Sequence, residues 1–342
     1  MLALFDGHND VLTRRDHAAF VTGRKGGHLD LPRMRAGGLR GGIFAVFTPS
    51  SRERRRAVAR TDGVREYALA RPVTRARAAA YATAAAGRLF ALERAGHVRV
   101  ARTGADLDAA RGDGGPPVAV LHLEGAEAID PGLEALEAWY QAGLRSLGPV
   151  WSRPNDFAHG VPFIFPSSPD TGPGLTTAGR GLVRRCAELG ILVDLSHLNE
   201  AGFWDVARLE AGPLVASHAG AHALCAASRN LTDRQLDAIG ASGGLVGIVF
   251  ACSFLRPDFR DDADTPLALI ASHARYVADR IGARHVALGS DFDGALIPRA
   301  LGDAAGLPRL VAALAEVGFS SEELEAIAWG NWRRVLGDWW SR

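Results

Sequence analysis

Eight short apolar runs rich in β-branched or bulky side chains punctuate the chain, at residues 2–5, 42–47, 118–123, 144–150, 191–195, 214–216, 245–250 and 285–288. Each has the length of a buried strand and is too short for an ordinary helix. Segments with helical periodicity lie between and after them, at 132–142, 177–189, 200–210, 233–239, 267–281, 307–317 and 322–336. Strands that alternate with helices run parallel, because each helix carries the chain back to the end of the sheet from which it left. Eight such strands predict an α/β fold closed into a (β/α)8 TIM barrel, and 342 residues accommodate a barrel of roughly 250 residues with insertions. We expect one domain over residues 1–342, closed at its end by helices within 307–337.

The interval 49–116 is helical in much of its composition, with an alanine-rich stretch at 76–93. Its run RERRR, at 52–56, reads as a solvated face: it is short, carries its own glutamate and has no interleaved aromatic residues. Residues 152–174, SRPNDFAHGVPFIFPSSPDTGPG, are too irregular for an element and are expected as a functional loop over the C-terminal face of the barrel. With 39 basic against 38 acidic residues, no electrostatic footprint points to nucleic acid or an anionic membrane. The start MLALFDGHND lacks signal-peptide character, and the apolar run 244–250 is far too short to span a bilayer. Three widely spaced cysteines, Cys186, Cys225 and Cys252, suit a reducing compartment, so the expected location is the cytoplasm.

Polar, metal-competent residues stand directly after the apolar runs, where barrel strands deliver side chains to the C-terminal face. His8 and Asp10 come first; two apart, they point the same way in extended backbone. Glu124 closes VLHLE, His197 closes ILVDLSH, His218 closes PLVASH, and Asp291 lies in ALGSDFDG. Three histidines and three carboxylates converging from five strands form the ligand set of a two-metal hydrolase. Burying six ionisable groups there without a cation would be costly. His17, His28, His97, His222, His273 and His285 close no strand run and are expected to be structural. His122 lies two residues before Glu124 and is a candidate for supporting the metal site from the barrel interior.

The ordered motifs DGHND (6–10), LEGAEAI (123–129), LVDLSHLN (192–199), VASHAGAHALCAASRNLTD (215–233), GSDFDG (289–294) and GNWRRVL (330–336) run nearly the full chain. This set resembles the membrane dipeptidase (renal dipeptidase) family of zinc peptidases, which have amidohydrolase-like metal-dependent barrels, and the chain looks like a soluble, bacterial-type member. The resemblance implies two Zn2+ per chain: one held by His8 and Asp10, the other by His197 and His218, with Glu124 and a water or hydroxide bridging them. Related barrels use a carboxylated lysine as the bridge. The sole lysine here, Lys25, sits in a polar RKGG turn, which favours Glu124. By the same resemblance Asp291 handles protons and contacts the substrate amine, and Arg229 pairs with the substrate's terminal carboxylate.

One departure stands out. Renal-type members carry a histidine after the fourth strand in a Thr-His-x-x-x-Asn pattern, where it contacts the carbonyl oxygen of the reacting amide. LRSLGPVWSRPN places Trp151 at that histidine and Asn155 at the asparagine. An indole N–H donates a hydrogen bond but carries no charge, and His159, in the following loop, is a candidate substitute. The resemblance thus implies a binuclear zinc dipeptidase acting on small peptides as a homodimer, and leaves tolerance of a C-terminal D-residue open. Two alternatives stay open as well: a binuclear barrel amidohydrolase for another small amide, such as an N-acyl amino acid, and a catalytically silent metal-binding protein.

Overall fold

A computed structural model of the chain describes residues 2–50, 58–59, 64–67, 69–112 and 114–341. The arginine-rich run 52–56 lies outside the described residues. Eight parallel strands form the barrel: β1 (Leu4–Asn9), β2 (Leu39–Phe47), β3 (Val118–Glu124), β4 (Leu144–Gly148), β5 (Leu192–Val193), β6 (Val215–Ala219), β7 (Leu245–Ile248) and β8 (Val286–Leu288). Two seams close it. At β5–β6, Asp194 bridges Val215 and the Leu195 amide donates to the Val215 carbonyl at 2.8 Å. At β8–β1, Asn9 bridges Phe292, and Asp6 accepts hydrogen bonds from the Ser290 amide (2.7 Å) and hydroxyl (2.8 Å).

The helices start and stop where local chemistry dictates. In Thr177–Leu189, Thr176 accepts the Gly179 amide at the N-terminus, Gly190 ends the helix with φ 72°, and Leu182, Val183 and Cys186 form the buried stripe. Asp233–Ala241 opens on a reciprocal Thr232–Gln235 capping box. The helices pack their apolar faces on the outside of the barrel. Inside it, Phe5, Ile43, Val118, Val120, Val215, Leu245 and Ala287 form the lower filling, which the C-terminal segment plugs from below. There Trp329 meets Phe5 edge to face at 5.6 Å, and the Trp332 indole N–H donates to the Leu288 carbonyl at 3.0 Å. Gly7 is required beside this plug, since a Cβ would collide with the Trp332 ring and the Leu288 and Ser217 carbonyls.

Several boundaries differ from the sequence reading. The first strand runs on through the polar Asp6–Asn9, and β5 keeps only two residues. The last helix is three pieces, Ser321–Glu325, a π-turn at Ala326–Gly330 and Asn331–Trp340. The stretch 152–174 is not wholly irregular: Phe163–Phe165 forms a strand, paired antiparallel with Arg65–Tyr67, which in turn pairs with Val58–Ala59. Its partners lie about a hundred residues upstream, so no local hairpin signal marks it. The loop is held down by Arg153, whose Nε donates to Glu127 Oε1 and Nη1 to the Thr48 carbonyl, each at 2.6 Å.

Candidate active site

The parallel register sets the heights of the site residues. Glu124, the last residue of β3, pairs with Phe47 on β2 and Gly148 on β4, so its carboxylate stands at the rim of the barrel. His8 is inside β1. Asp10 has just left it, at φ −98° and ψ 21°, rather than continuing the extended backbone that its spacing from His8 suggests. His218 lies in β6. His197 and Asp291 follow strand ends with φ of 68° and 59°, a left-handed conformation that non-glycine residues adopt at a cost and that recurs at functional sites. Gly294 lets the turn after β8 approach closely, because a Cβ there would overlap the carboxylates of Asp10 and Asp291.

The structure brings five of the expected residues together. Glu124 Oε1 is 3.0 Å from His197 Nε2, 3.5 Å from His8 Nε2 and 3.6 Å from His218 Nε2. His197 Nε2 and His218 Nε2 are 3.1 Å apart. Two ligand-competent trios share the glutamate: His8, Asp10 and Glu124 on one side, and Glu124, His197 and His218 on the other, each with its donor atoms within 4.8 Å of one another. His8 Nε2 and Asp10 Oδ1 are buried without a hydrogen-bond partner.

Hydrogen bonds from behind fix the imidazoles. Ser217 Oγ donates to Asp194 Oδ2 (2.6 Å) and stands 2.8 Å from His218 Nδ1, and Ser152 Oγ is 2.9 Å from His197 Nδ1. Hydroxyls that accept the Nδ1 protons leave the Nε2 lone pairs facing Glu124. Burial is the main influence on the charges. It pushes Asp10 and Glu124 well above the usual carboxylate range, with Asp291 raising both, Asp293 raising Asp10 and Asp10 raising Glu124, and holds His8 and His218 well below the usual imidazole range. Neutral imidazoles beside carboxylates that need a positive neighbour, with an orphaned nitrogen and oxygen between them, fit divalent cations. Asp291 also lies close: it is partly open to the cavity and is raised by burial to about 7, with Arg229 pulling the other way.

A cavity of about 520 Å³ opens above this cluster. Asp10, Glu124, His197, His218 and Asp291 form its floor, and Phe47, Tyr67, Trp151, Phe163, Phe254 and Phe259 supply aromatic walls. Trp151 packs 4.5 Å from Phe47 and 5.6 Å from His197 between ring centroids, so it is part of the wall. Arg229 is buried behind His218; its Nη2 donates to the His218 carbonyl at 2.9 Å, and its Nε has no acceptor. Asn155, His159 and Arg229 are not among the described residues lining the cavity. The Asn155 amide is used up within its loop, donating to the Pro149 carbonyl and accepting from the Phe157 and Ala158 amides, while His159 Nδ1 lies 3.3 Å from the Gly174 carbonyl. His122 is buried beneath the site, its Nδ1 2.9 Å from Ser146 Oγ and its ring 5.7 Å from that of His8.

Sequence reasoning missed Asp194, which accepts from the Ser196 amide and from both the amide and hydroxyl of Ser217, and so orders two adjacent strand ends. A carboxylate inside the apolar run ILVDL was the available signal. It also missed Asp293, which lines the cavity and accepts from the His28 amide (2.7 Å) and Arg24 Nη1 (3.2 Å). Among the histidines expected to be structural, His273 and His285 are bonded to backbone.

No helix among the described residues is long and apolar enough to cross a membrane. The profile of the membrane dipeptidase family, peptidase family M19, matches residues 1–339. A protein of the pqqA 5' region of Klebsiella pneumoniae is 48% identical over 248 residues, covering 72% of this chain and 91% of that one. The solved metallo peptidase dipeptidase AC, of family M19, superposes with a TM-score of 0.93 at 46% identity, covering 100% of this chain and 99% of its own. A metallo peptidase from Rhodobacter sphaeroides, solved with a phosphinate mimic of the dipeptide L-Ala-D-Ala, gives the same TM-score and identity over 98% of each chain. A full-length family match, near-identical folds at 46% identity and a metal-competent cluster at the barrel mouth lead to one conclusion: the chain belongs to the membrane dipeptidase family M19, metallopeptidases that hydrolyse the peptide bond of dipeptides.

Proposed function

We propose that the chain is a two-zinc dipeptidase whose substrates include dipeptides with a C-terminal D-residue. The observation that carries this reading is the position of Glu124 Oε1, within 3.6 Å of the Nε2 atoms of His8, His197 and His218. His8 and Asp10 would hold one zinc, His197 and His218 the other, and Glu124 both. The ions would supply Lewis-acid polarisation of the scissile carbonyl and a water made acidic enough to attack near neutral pH. Asp291 takes the proton lost by the nucleophile and returns it to the leaving amine, a role suited to a carboxylate poised near neutrality. Arg229 receives the terminal carboxylate, and Trp151 walls the side chain beside the scissile carbonyl. The phosphinate mimic of L-Ala-D-Ala bound by the Rhodobacter sphaeroides relative supports the substrate class, and a cavity of about 520 Å³ holds a dipeptide. The test is hydrolysis of L-Ala-L-Ala and L-Ala-D-Ala by zinc-loaded and chelated enzyme. Cleavage of both, lost on chelation, is expected; hydrolysis of N-acetyl amino acids in their place would assign the chain to another small amide.

Two variants separate the binding roles. Arg229→Ala should raise KM for free-carboxylate dipeptides by about 10- to 100-fold, the worth of a charge-assisted hydrogen bond, and leave amidated ones nearly unchanged. Equal losses on both would take Arg229 out of the site. Trp151→Phe should keep full kcat, because its packing against Phe47 and His197 makes it a wall, while Trp151→Ala should weaken binding of substrates with an apolar side chain by about 1–3 kcal/mol. A roughly 10²-fold kcat loss in Trp151→Phe would instead make the indole N–H a donor to the carbonyl oxygen.

A further inference from the structure

A second cavity, of about 320 Å³, lies outside the barrel between the short turn Val11–Thr13 and the helix Arg75–Arg94. No residue lines both this cavity and the catalytic one. Phe20 and Phe44, packed edge to face at 6.3 Å, and the aliphatic Leu12 and Leu92 make it mainly apolar. The charged or titratable residues among its described lining are Arg24, Arg88 and the exposed His17; no carboxylate lines it.

Both arginines are incompletely bonded. The Arg24 side chain is 1% exposed and its Nε is buried without a hydrogen-bond acceptor, Asp16 Oδ1 standing off at 3.7 Å. Its terminal nitrogens donate to the Leu29 carbonyl (3.0 Å), Asp293 Oδ2 (3.2 Å) and the Val11 carbonyl (3.4 Å). Arg88 donates from Nη2 to the Leu12 carbonyl at 2.8 Å, its Nε is also buried without an acceptor, and no carboxylate among the described residues pairs with it. A buried guanidinium N–H lacking an acceptor is unfavourable, and an apolar enclosure with only cations on its lining selects an anion that brings its own apolar surface.

We propose that this cavity is a binding site for a small aliphatic monocarboxylate, its carboxylate on Arg24 and Arg88 and its tail against Phe20 and Phe44. The site adjoins the catalytic centre through two links: Val11 and Leu12 directly follow Asp10, and Arg24 is bonded to Asp293, which lines the catalytic cavity.

Titration calorimetry of the zinc-loaded enzyme with octanoate tests this, run with the catalytic cavity saturated by a phosphinate dipeptide mimic so that a carboxylate bound at the metals is not counted. One saturable site per chain is expected, with no binding of octylammonium, which has the same tail and the opposite charge. Arg88→Ala should weaken octanoate binding at least about tenfold while leaving dipeptide kcat/KM in the absence of octanoate unchanged, and Arg88→Lys, which keeps the charge, should retain part of it. Four results would each overturn the proposal: no octanoate binding at millimolar concentration, equal binding of octylammonium, loss of binding when the mimic is present, or undiminished binding in a folded Arg88→Ala variant. Binding confined to dilute protein would assign the cavity to a second copy of the chain and would overturn it as well.

Discussion

Glu124→Ala is expected to lose both metals and, with them, dipeptide hydrolysis. Glu124 Oε1 is the atom on which His8, His197 and His218 converge, and two of the four ligand-competent trios among the described residues include it. Removing a residue that merely supports a metal ligand costs about 10–100-fold in metal affinity. If two ions share Glu124, its removal should exceed that at both, and activity should fall by more than about 10³-fold at ordinary zinc concentrations. Elemental analysis after gel filtration checks the cause: the variant should carry far less metal than the wild type while keeping its circular dichroism. A Glu124→Ala protein that retains stoichiometric metal would show that the glutamate is not a ligand.

Asp291→Asn should behave in the opposite way, keeping metal and fold while kcat falls by about 10²- to 10⁴-fold, the usual contribution of a positioned acid or base. The carboxylate is tied to the frame by its own amide, which donates to the His8 carbonyl at 3.0 Å, and this bond survives the substitution. The pH profile supplies a second signature. Burial raises the carboxyl to about 7, and a proton acceptor works only when ionised, so turnover should rise with pH through that value. Cations beside it favour the ionised form, so in loaded enzyme the rising limb should lie at or below 7. In Asp291→Asn that limb should vanish from the residual activity. An unchanged profile would assign the proton transfer to another group.

The sequence was most legible where hydrophobicity and chemistry change abruptly. The apolar runs located every barrel strand, because a parallel strand buried on both faces has no polar alternation to blur it. The polar residues that end those runs, His8, Glu124, His197 and His218, are the ones the structure gathers. The same abruptness misplaced strand ends: β1 continues through Asp6 and His8, since those side chains are buried like their apolar neighbours. What depends on distant partners could not be read. Phe163–Phe165 is a strand only because Arg65–Tyr67 comes alongside, and the Asn155 side chain bonds the Pro149 carbonyl and two loop amides. The supporting Ser152, Asp194 and Ser217 carry no spacing signal, because their role is defined by the imidazole each one meets or helps to order.

The two-zinc reading requires that both ions share Glu124. Stepwise addition of zinc to fully chelated protein, with L-Ala-D-Ala hydrolysis followed at each step, tests it most directly. The stripped enzyme should show no turnover, and activity should rise and level off at two equivalents per chain. Full activity at one equivalent, or turnover that survives complete removal of metal, would contradict it.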